Sequence, residues 1–418
     1  MSSTAWRLRL SIGLVTAIAA SLIPAASASA VPWDGPGALP WYATAAPLQP
    51  DPTCSQSYDT RPPMPGAPVE WGVGPLAAGT AGSSQTGMVP ENVAKADQAL
   101  RVLRPAGRPF SVRLNRLFMS DGEAGLARYK ALADRFAALG LDVELQVRYH
   151  PSEADNGNIA RWLDFVRRVV QVFGPNRHVT ALQITNEVNL TFSPNTSDGA
   201  YLNARTALVQ GVIAAKHEAR LLGHRQLGIG FNFAYRLDPA QDADFWRTIG
   251  SSGGQAFRKA VDWVGVDIYP GTFFIPTVTD FGNSVVEGLA SVRRCWMPLA
   301  GLSPSVPIHV EENGYPTGPG RSESTQLNAL DGFVRAVNAY RGTYNVSKYS
   351  WFALRDNDTS APDFQSHYGL LRSDYSTKPA FGRYCRLVER FAGPSRHRGL
   401  LGPWQRRHAQ RQCATPGF

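Results

Sequence analysis

Short apolar runs recur along the chain at intervals of 34 to 45 residues, and each closes in a polar, aromatic or glycine residue. The eight closing positions are Gly74, Arg116, His150, Glu187, Asn232, Tyr269, Glu312 and Trp351. Parallel strands need a crossover of a dozen or more residues, usually a helix, before the next strand can begin. The spacing therefore predicts an α/β chain that forms a (β/α)₈ TIM barrel with a single catalytic domain.

The segments between these runs carry the periodicity of amphipathic helices. Helices are predicted over residues 91–103, 121–139, 159–173, 201–222, 242–257, 285–299, 322–340 and 379–391. Strands are predicted over residues 69–74, 110–117, 141–149, 178–185, 226–233, 261–269, 306–312 and 349–354. Because barrel strands are covered by helices outside and by side chains inside, we expect these runs to be apolar on both faces.

The first thirty residues are expected to be a secretory signal peptide. Arg7 and Arg9 precede an apolar run, and Ala28-Ser29-Ala30 supplies the small residues of a cleavage site. A membrane anchor is the alternative, but Pro24 interrupts the run, which is shorter than the ~20 residues needed to span a bilayer. We therefore expect a secreted, extracellular protein whose mature chain does not insert into the membrane.

Composition divides the remaining chain into three parts. Residues 31–68 contain ten prolines and form a Pro-rich N-terminal arm, which we expect to pack across the bottom of the barrel. Residues 69–392 form the barrel itself. Residues 393–418 contain five arginines and no acidic residue, and they are predicted to be a disordered basic tail.

The net charge of +9 does not indicate a nucleic-acid partner. Seven arginines lie in the signal peptide and the C-terminal tail, and without them 35 basic residues face 33 acidic ones. The barrel is therefore nearly neutral and offers no continuous basic surface for phosphates.

The cysteines indicate an oxidising compartment. Four are present, at positions 54, 295, 385 and 413, which allows two disulfides in three possible pairings. Their spacing does not favour a zinc site.

Glutamates close two of the strands, at positions 187 and 312. The carboxyl ends of barrel strands form one functional face, so Glu187 and Glu312 are expected to meet in a common mouth. Two carboxyl groups that flank a substrate are the machinery of glycosidic bond cleavage. Asn186 beside Glu187 would hydrogen-bond a sugar hydroxyl.

Glu311 competes with Glu312 for the second carboxylate role. Strand alternation places Ile308, Val310 and Glu312 on one face, with His309 and Glu311 on the other. If the aliphatic face fills the barrel interior, Glu312 points inward at the mouth. Glu311 would then point toward the helical layer.

These motifs together resemble the clan A glycoside hydrolases. The resemblance rests on Asn186-Glu187, on Glu312-Asn313-Gly314, on Trp351 and on the closing segment 368–381. It implies a retaining hydrolase of β-glycosidic bonds, in which Glu187 is the acid/base and Glu312 the nucleophile. It also implies an oligo- or polysaccharide substrate and no metal or cofactor. We expect a monomer.

The resemblance extends to four supporting residues. Arg113 would lie near the nucleophile, with Arg116 as its rival, and His150 would bind sugar. Tyr269 would donate a hydrogen bond to the nucleophile, and Trp351 would offer an apolar face to a pyranose.

Two other functions remain open at the level of sequence. A secreted carbohydrate-binding barrel without turnover would use the same rim, but binding alone rarely needs two opposed carboxyl groups. A lyase or metal hydrolase is the other alternative, and the chain shows no clustered His/Asp ligand set for it.

Overall fold

The chain folds into a closed barrel of parallel strands, so the predicted (β/α)₈ fold is confirmed. The computed structural model describes residues 61–75, 88–192, 194–235, 239–273, 280–393 and Cys413. The predicted signal peptide, most of the N-terminal arm and nearly all of the C-terminal tail lie outside the described residues. The strands are β1 Glu70–Val73, β2 Phe110–Phe118, β3 Asp142–Arg148, β4 Val179–Ile184, β5 Gly228–Ala234, β6 Trp263–Ile268, β7 Ile308–Asn313 and β8 Val346–Trp351.

Helices connect the strands and form the outer layer. They are α1 Val93–Leu103, α2 Gly122–Ala138, α3 Ile159–Phe173, α4 Ala204–Leu221, α5 Pro239–Ala260, α6 Phe281–Ser291, α7 Met297–Leu299, α8 Glu323–Tyr340 and α9 Pro379–Phe391. A π-helical segment, Val292–Trp296, joins α6 to α7 within the predicted helix 285–299. The eighth strand begins three residues before its predicted start. No helix of the described chain is long and apolar enough to span a bilayer.

The hydrophobic core lies between the barrel and the helices. On β5, the ring of Phe231 lies 5.7 Å from that of Trp246 and 5.6 Å from that of Phe257, both on α5. On β1, Trp71 packs against Phe391 of α9 at 6.2 Å. Each fully buried large side chain of this kind contributes about 1.5–3 kcal/mol to folding. Outward-facing strand residues therefore attach the helices to the barrel.

The inside of the barrel is polar, which the sequence analysis did not predict. His309 on β7 lies 3.8 Å from Glu144 on β3, a strand on the opposite side of the barrel. Such a contact is possible only through the interior, so His309 points inward. Strand alternation then turns Ile308 and Val310 outward to the helices. The prediction that these two aliphatic residues fill the interior is wrong.

Two contacts near the chain ends concern the predicted arm and tail. Within the described part of the arm, Met64 exchanges hydrogen bonds with the loop between α8 and β8, through Gly342 and Thr343. Cys385 of α9 forms a disulfide with Cys413, which attaches that tail residue to the barrel. Cys295 is also disulfide-bonded, and Cys54 lies outside the described residues.

Candidate functional site

Glu312 lies at the mouth of the barrel, and both of its carboxylate oxygens accept hydrogen bonds from the protein. Arg113 on β2 donates from Nη1 to Oε1 at 2.7 Å, and Tyr269, just after β6, donates from its hydroxyl to Oε2 at 2.8 Å. The side chain is 12% exposed. Its carboxylate is thus fixed in orientation while one edge remains open to the mouth.

A β-bulge in β7 gives Glu312 this position. Val266 pairs with Val310, but the next residue, Asp267, pairs with Glu312, so Glu311 is the extra residue on β7. Glu311 is buried inside the barrel, with Oε2 at 3.1 Å from Nε of Arg113. The prediction that Glu311 points to the helical layer is wrong, because Glu311 shares the inward face of β7 with His309, and the bulge then brings Glu312 to the mouth as well.

Arg113, and not its rival Arg116, pairs with Glu312. The Arg113 side chain is 3% exposed, and its Nη2 donates to Gln183 Oε1 at 2.6 Å. Burial disfavours its charge, but the carboxylates of Glu312 and other acidic neighbours outweigh burial and raise the guanidinium pKa. Arg116 has a φ of 72° and lies with its guanidinium 5.4 Å from the ring of Phe118.

Glu187 follows β4 in an unusual backbone turn. Thr185 and Glu187 have φ angles of 66° and 46°, in the left-handed region that side chains other than glycine disfavour. Such conformations cost about 1–3 kcal/mol each and persist where surrounding contacts fix them. Asn186, between them, donates from Nδ2 to the Thr196 carbonyl at 2.7 Å and accepts at Oδ1 from Gln146 at 2.7 Å.

Asn232 on β5 also holds the turn from below. Its Oδ1 accepts from the backbone N–H of Glu187 at 2.8 Å, and its Nδ2 donates to Asn186 Oδ1 at 2.8 Å. From sequence, Asn232 is only a candidate contact of a sugar subsite, and its hydrogen bonds to the Glu187 turn were not predicted. Its position as the inward residue at the end of β5 was the only signal available.

The charge of Glu312 acts on Glu187. Burial, followed by repulsion from Glu312, raises the pKa of Glu187 to about 8. A continuous chain of hydrogen bonds also joins the two residues through Arg113, Gln183 and Asn186. The structure therefore brings the two predicted carboxyl groups into one mouth, where the surroundings of Glu187 favour its protonated form and Glu312 is paired with the Arg113 guanidinium.

Asp267 on β6 is a third carboxyl group in the mouth, and the sequence analysis missed it. Its Oδ2 accepts a short hydrogen bond from Asn232 Nδ2, and its carboxyl group is in hydrogen-bonding contact with that of Glu187. It is 1% exposed. The strand sequence Val-Gly-Val-Asp-Ile contains one inward acidic residue, which alternation from Trp263 could have identified.

His150 lies at the rim, next to β3, and is half-buried. Its ring packs 4.4 Å from that of Phe118, and its Nδ1 lies 2.5 Å from the hydroxyl of Tyr201. Burial, together with the charges of Arg148 and Arg116, lowers its pKa to about 4. The imidazole is therefore neutral at physiological pH and can offer hydrogen bonds without adding charge to the mouth.

Trp351 does not reach the mouth. It shares a strand face with Tyr349, whose ring packs against Tyr384 of α9, so both residues point to the helical layer. Trp351 is 0% exposed and belongs to the main hydrophobic core. The prediction that it offers a face to a sugar is wrong for this structure. Phe352, the next residue, instead joins a small apolar cluster with Tyr269 and Tyr368.

A buried cluster of charged residues lies inside the barrel beneath Glu312. Ligand atoms of Glu144, His309 and Glu311 lie within 4.8 Å of one another, which is close enough for a metal ion. Arg113 and Lys348 already supply positive charge there, since Nε of Arg113 lies 3.5 Å and Nζ of Lys348 3.5 Å from Glu144 oxygens. The arrangement is thus that of an ion-pair cluster.

Comparisons with known proteins identify structures of the same fold. No protein-family model matches the chain, and no curated protein matches it. A β-glucosidase from Thermotoga maritima in complex with methoxycarbonyl-substituted glucoimidazole is 14% identical, with a TM-score of 0.55, and the match covers 79% of this chain and 99% of that chain. The same enzyme with isofagomine lactam gives a TM-score of 0.54 at 14% identity and the same coverage.

The AHE enzyme from Alicyclobacillus herbarius also matches, with a TM-score of 0.55 and 13% identity over 81% of this chain and 100% of that chain. At this level of identity the comparisons establish the fold alone. The chain shares the (β/α)₈ barrel of solved β-glucosidases, which confirms the fold implied by its resemblance to clan A glycoside hydrolases.

Proposed function

We propose that this protein is a secreted, retaining glycoside hydrolase that cleaves β-glycosidic bonds. Glu312 is the nucleophile and Glu187 the acid/base. The observation that carries the proposal is the difference between the electrostatic surroundings of the two carboxyl groups. Glu312 is a carboxylate held by Arg113 and Tyr269, whereas burial and the Glu312 charge keep the proton on Glu187 at neutral pH. A carboxyl group whose environment favours the protonated form, beside a carboxylate held by hydrogen bonds, is typical of an acid and a nucleophile.

In the proposed double displacement, each glutamate has one role in each step. Glu312 attacks the anomeric carbon while Glu187 protonates the departing oxygen, and a glycosyl ester forms on Glu312. The negative charge of Glu312 disappears in this ester, so its repulsion on Glu187 ends and the Glu187 pKa falls. Glu187, now ionised, can accept a proton from the water that releases the sugar.

The proposed substrate class draws on the structural neighbours as well as on the site. Solved structures that share the fold include β-glucosidases, which supports a β-linked sugar as substrate. Aryl β-glucosides and β-linked oligo- and polysaccharides are therefore the first compounds to test. Secretion is proposed from the N-terminal sequence.

Covalent trapping tests the proposal directly. A 2-fluoro glycoside of the best substrate should accumulate as an ester, because fluorine disfavours the oxocarbenium-like transition states of both steps. We expect peptide mass mapping to find the adduct on Glu312. An adduct on Glu311 would reverse the assignment of the nucleophile. Sugar binding with neither turnover nor adduct would identify a carbohydrate-binding barrel instead.

Tyr269→Phe should lower kcat/KM about 10- to 100-fold, because a hydrogen bond to a charged group contributes about 1.5–3 kcal/mol. Burial and the charge of Glu312 raise the Tyr269 pKa well above its usual value, so the hydroxyl remains a donor at every pH of interest. Steady-state kinetics with an aryl glycoside would measure the loss.

Tyr368→Phe is the matched control for Tyr269→Phe. Tyr368 lies in the same apolar cluster, and its buried hydroxyl makes no hydrogen bond within the described part of the chain. Its loss should change kcat/KM by less than about 3-fold. Equal effects of the two substitutions would mean that packing, and not the hydrogen bond to Glu312, determines activity.

A further inference from the structure

Asp267 occupies a position between the two proposed catalytic residues. It is the strand partner of Glu312 across the β6–β7 ladder. On its other side, Asn232 connects it to the Glu187 turn, because the Asn232 side chain donates to Asp267 Oδ2 and accepts from the Glu187 N–H. A carboxyl group in this position interacts electrostatically with both Glu312 and Glu187.

The second oxygen of Asp267 has no partner of the kind that Asn232 provides for Oδ2. Oδ1 is buried, and no N–H or O–H donor from the described residues reaches it. The carboxyl groups of Asp267 and Glu187 are nevertheless in hydrogen-bonding contact. Two carboxylates cannot share such a contact while both are ionised, because neither would have a proton to donate. At least one proton must therefore lie between them.

Charge balance indicates where that proton resides. The charged and titratable groups that act on Asp267 are Glu312 on β7, Glu187 after β4 and Arg113 on β2, and Tyr269 lies two residues further along the chain, just after β6. Arg113 carries a single positive charge and already forms ion pairs with Glu312, Glu311 and Glu144, so it has no charge left to balance Asp267. Burial, then the charges of Glu312 and Glu187, raise the Asp267 pKa well above its usual value against the opposing effect of Arg113.

We propose that Asp267 is a neutral carboxylic acid throughout turnover and acts as a positioning residue that donates its O–H hydrogen bond to Glu187. The proposal rests on the proposed function and deepens it. Asp267 is 1% exposed whereas Glu187 is only partly buried, so the deeper group has less solvation to stabilise a charge.

The proton of Asp267 is not transferred in either step. In the first step the Glu312 oxygen bonds to the anomeric carbon, the glycosidic C–O bond breaks, and the Glu187 proton passes to the leaving oxygen. Glu187 is then a carboxylate and accepts the Asp267 hydrogen bond. In the second step water attacks the anomeric carbon, the ester bond breaks, and Glu187 takes a proton from that water. Both residues return to their starting states.

Infrared spectroscopy tests the protonation of Asp267 without any turnover. Glu187→Gln removes the other protonated carboxyl group of the pair. In that variant at neutral pH, we expect a carbonyl stretch of a protonated carboxyl group that disappears when Asp267→Asn is added. An unchanged spectrum on adding Asp267→Asn would overturn the proposal. Because the measurement needs no substrate, its result is separable from a failure of the proposed function.

Kinetics of two Asp267 variants test the hydrogen bond. Asp267→Asn keeps a neutral donor, so kcat should stay within about 3-fold and the alkaline limb of the pH profile should not move. Asp267→Ala removes the donor, so kcat should fall about 10- to 100-fold and the alkaline limb should move to higher pH. A shift of that limb to lower pH in Asp267→Asn would show that Asp267 is normally an anion.

A folding defect would not leave these results ambiguous. The alkaline limb reports protonation in the fraction of molecules that is active, so a smaller folded fraction lowers the rate without moving the limb. If Asp267→Asn does not fold, the infrared titration of Glu187→Gln alone still decides. If the carboxyl band of this variant disappears as the pH is raised to about 7, Asp267 is ionised at neutral pH and the proposal is wrong.

Discussion

Replacing Glu312 with glutamine is expected to lower kcat by at least about four orders of magnitude, because no covalent intermediate can form on an amide. Substrate binding should change far less, since Arg113, Tyr269 and the rim remain in place. The Arg113 side chain would lose one charged partner but keep Gln183 and Glu311. The measurement is steady-state hydrolysis of an aryl β-glucoside, with circular dichroism to verify folding.

Glu311→Gln is the matched control, because Glu311 is adjacent in sequence and also lies against Arg113. It lies deeper in the barrel, as the bulge residue of β7, and next to His309. We expect it to retain activity within about 10-fold, with a loss of stability from the disturbed ion-pair cluster. If Glu312→Gln keeps full activity and Glu311→Gln is inactive, the nucleophile is Glu311 and not Glu312.

Azide provides a second, stereochemical test of Glu312. In Glu312→Ala the vacated space lies on the face from which the nucleophile attacks, so azide should enter there and give a glycosyl azide of inverted configuration. Nuclear magnetic resonance of the product distinguishes the two anomers. A product of retained configuration would place residue 312 on the leaving-group side of the sugar.

The fold could be predicted from sequence because its signal is local. Each strand carries buried apolar residues at alternate positions, and each is followed by a helix whose periodicity is visible within about fifteen residues. Helix α3 matches its predicted bounds, and Gly140, at a φ of 69°, directly follows the helix predicted over residues 121–139. Closure into a barrel then follows from the number and parallel direction of the strands.

Which side chains of β7 point into the barrel could not be predicted, because this depends on how β7 pairs with another strand. Alternation along Ile308–Asn313 is local, whereas the bulge at Glu311 appears only when β7 is aligned with β6. The same alternation did contain a usable signal on β3, where Glu144, Gln146 and Arg148 alternate with valine and leucine. Read in that way, it indicates a polar barrel interior.

The side-chain contacts of the mouth could not be predicted from local sequence patterns for a second reason. Asn232 and Asp267 come from strands β5 and β6, and each is informative only through its contacts with Glu187. Trp351 illustrates the reverse error, since a strand-closing aromatic residue was assigned to the mouth although its strand face points to α9. A position at the end of a strand identifies a candidate site residue. The direction of its side chain then decides whether it lines the mouth.

Glu187→Ala should slow substrates with poor leaving groups by about 10²- to 10⁴-fold, the usual contribution of a positioned general acid. Substrates with good leaving groups, such as dinitrophenyl glycosides, should lose much less in the first step because their departing oxygen needs no proton. A series of aryl glycosides with graded leaving groups would measure this difference. Equal losses across the series would contradict an acid role for Glu187.

The pH profile and azide complete the test of Glu187. Its pKa of about 8 lies above the value of a free carboxyl group, so the protonated form is lost, and activity falls, as pH rises through that value. The Glu187→Ala variant should lack this alkaline limb. Azide should accelerate turnover by this variant, because it attacks the glycosyl ester and gives a product of retained configuration. Glu153→Ala, which removes an exposed glutamate after β3, is the control and should keep the limb. An alkaline limb that persists in Glu187→Ala would assign the proton to another group.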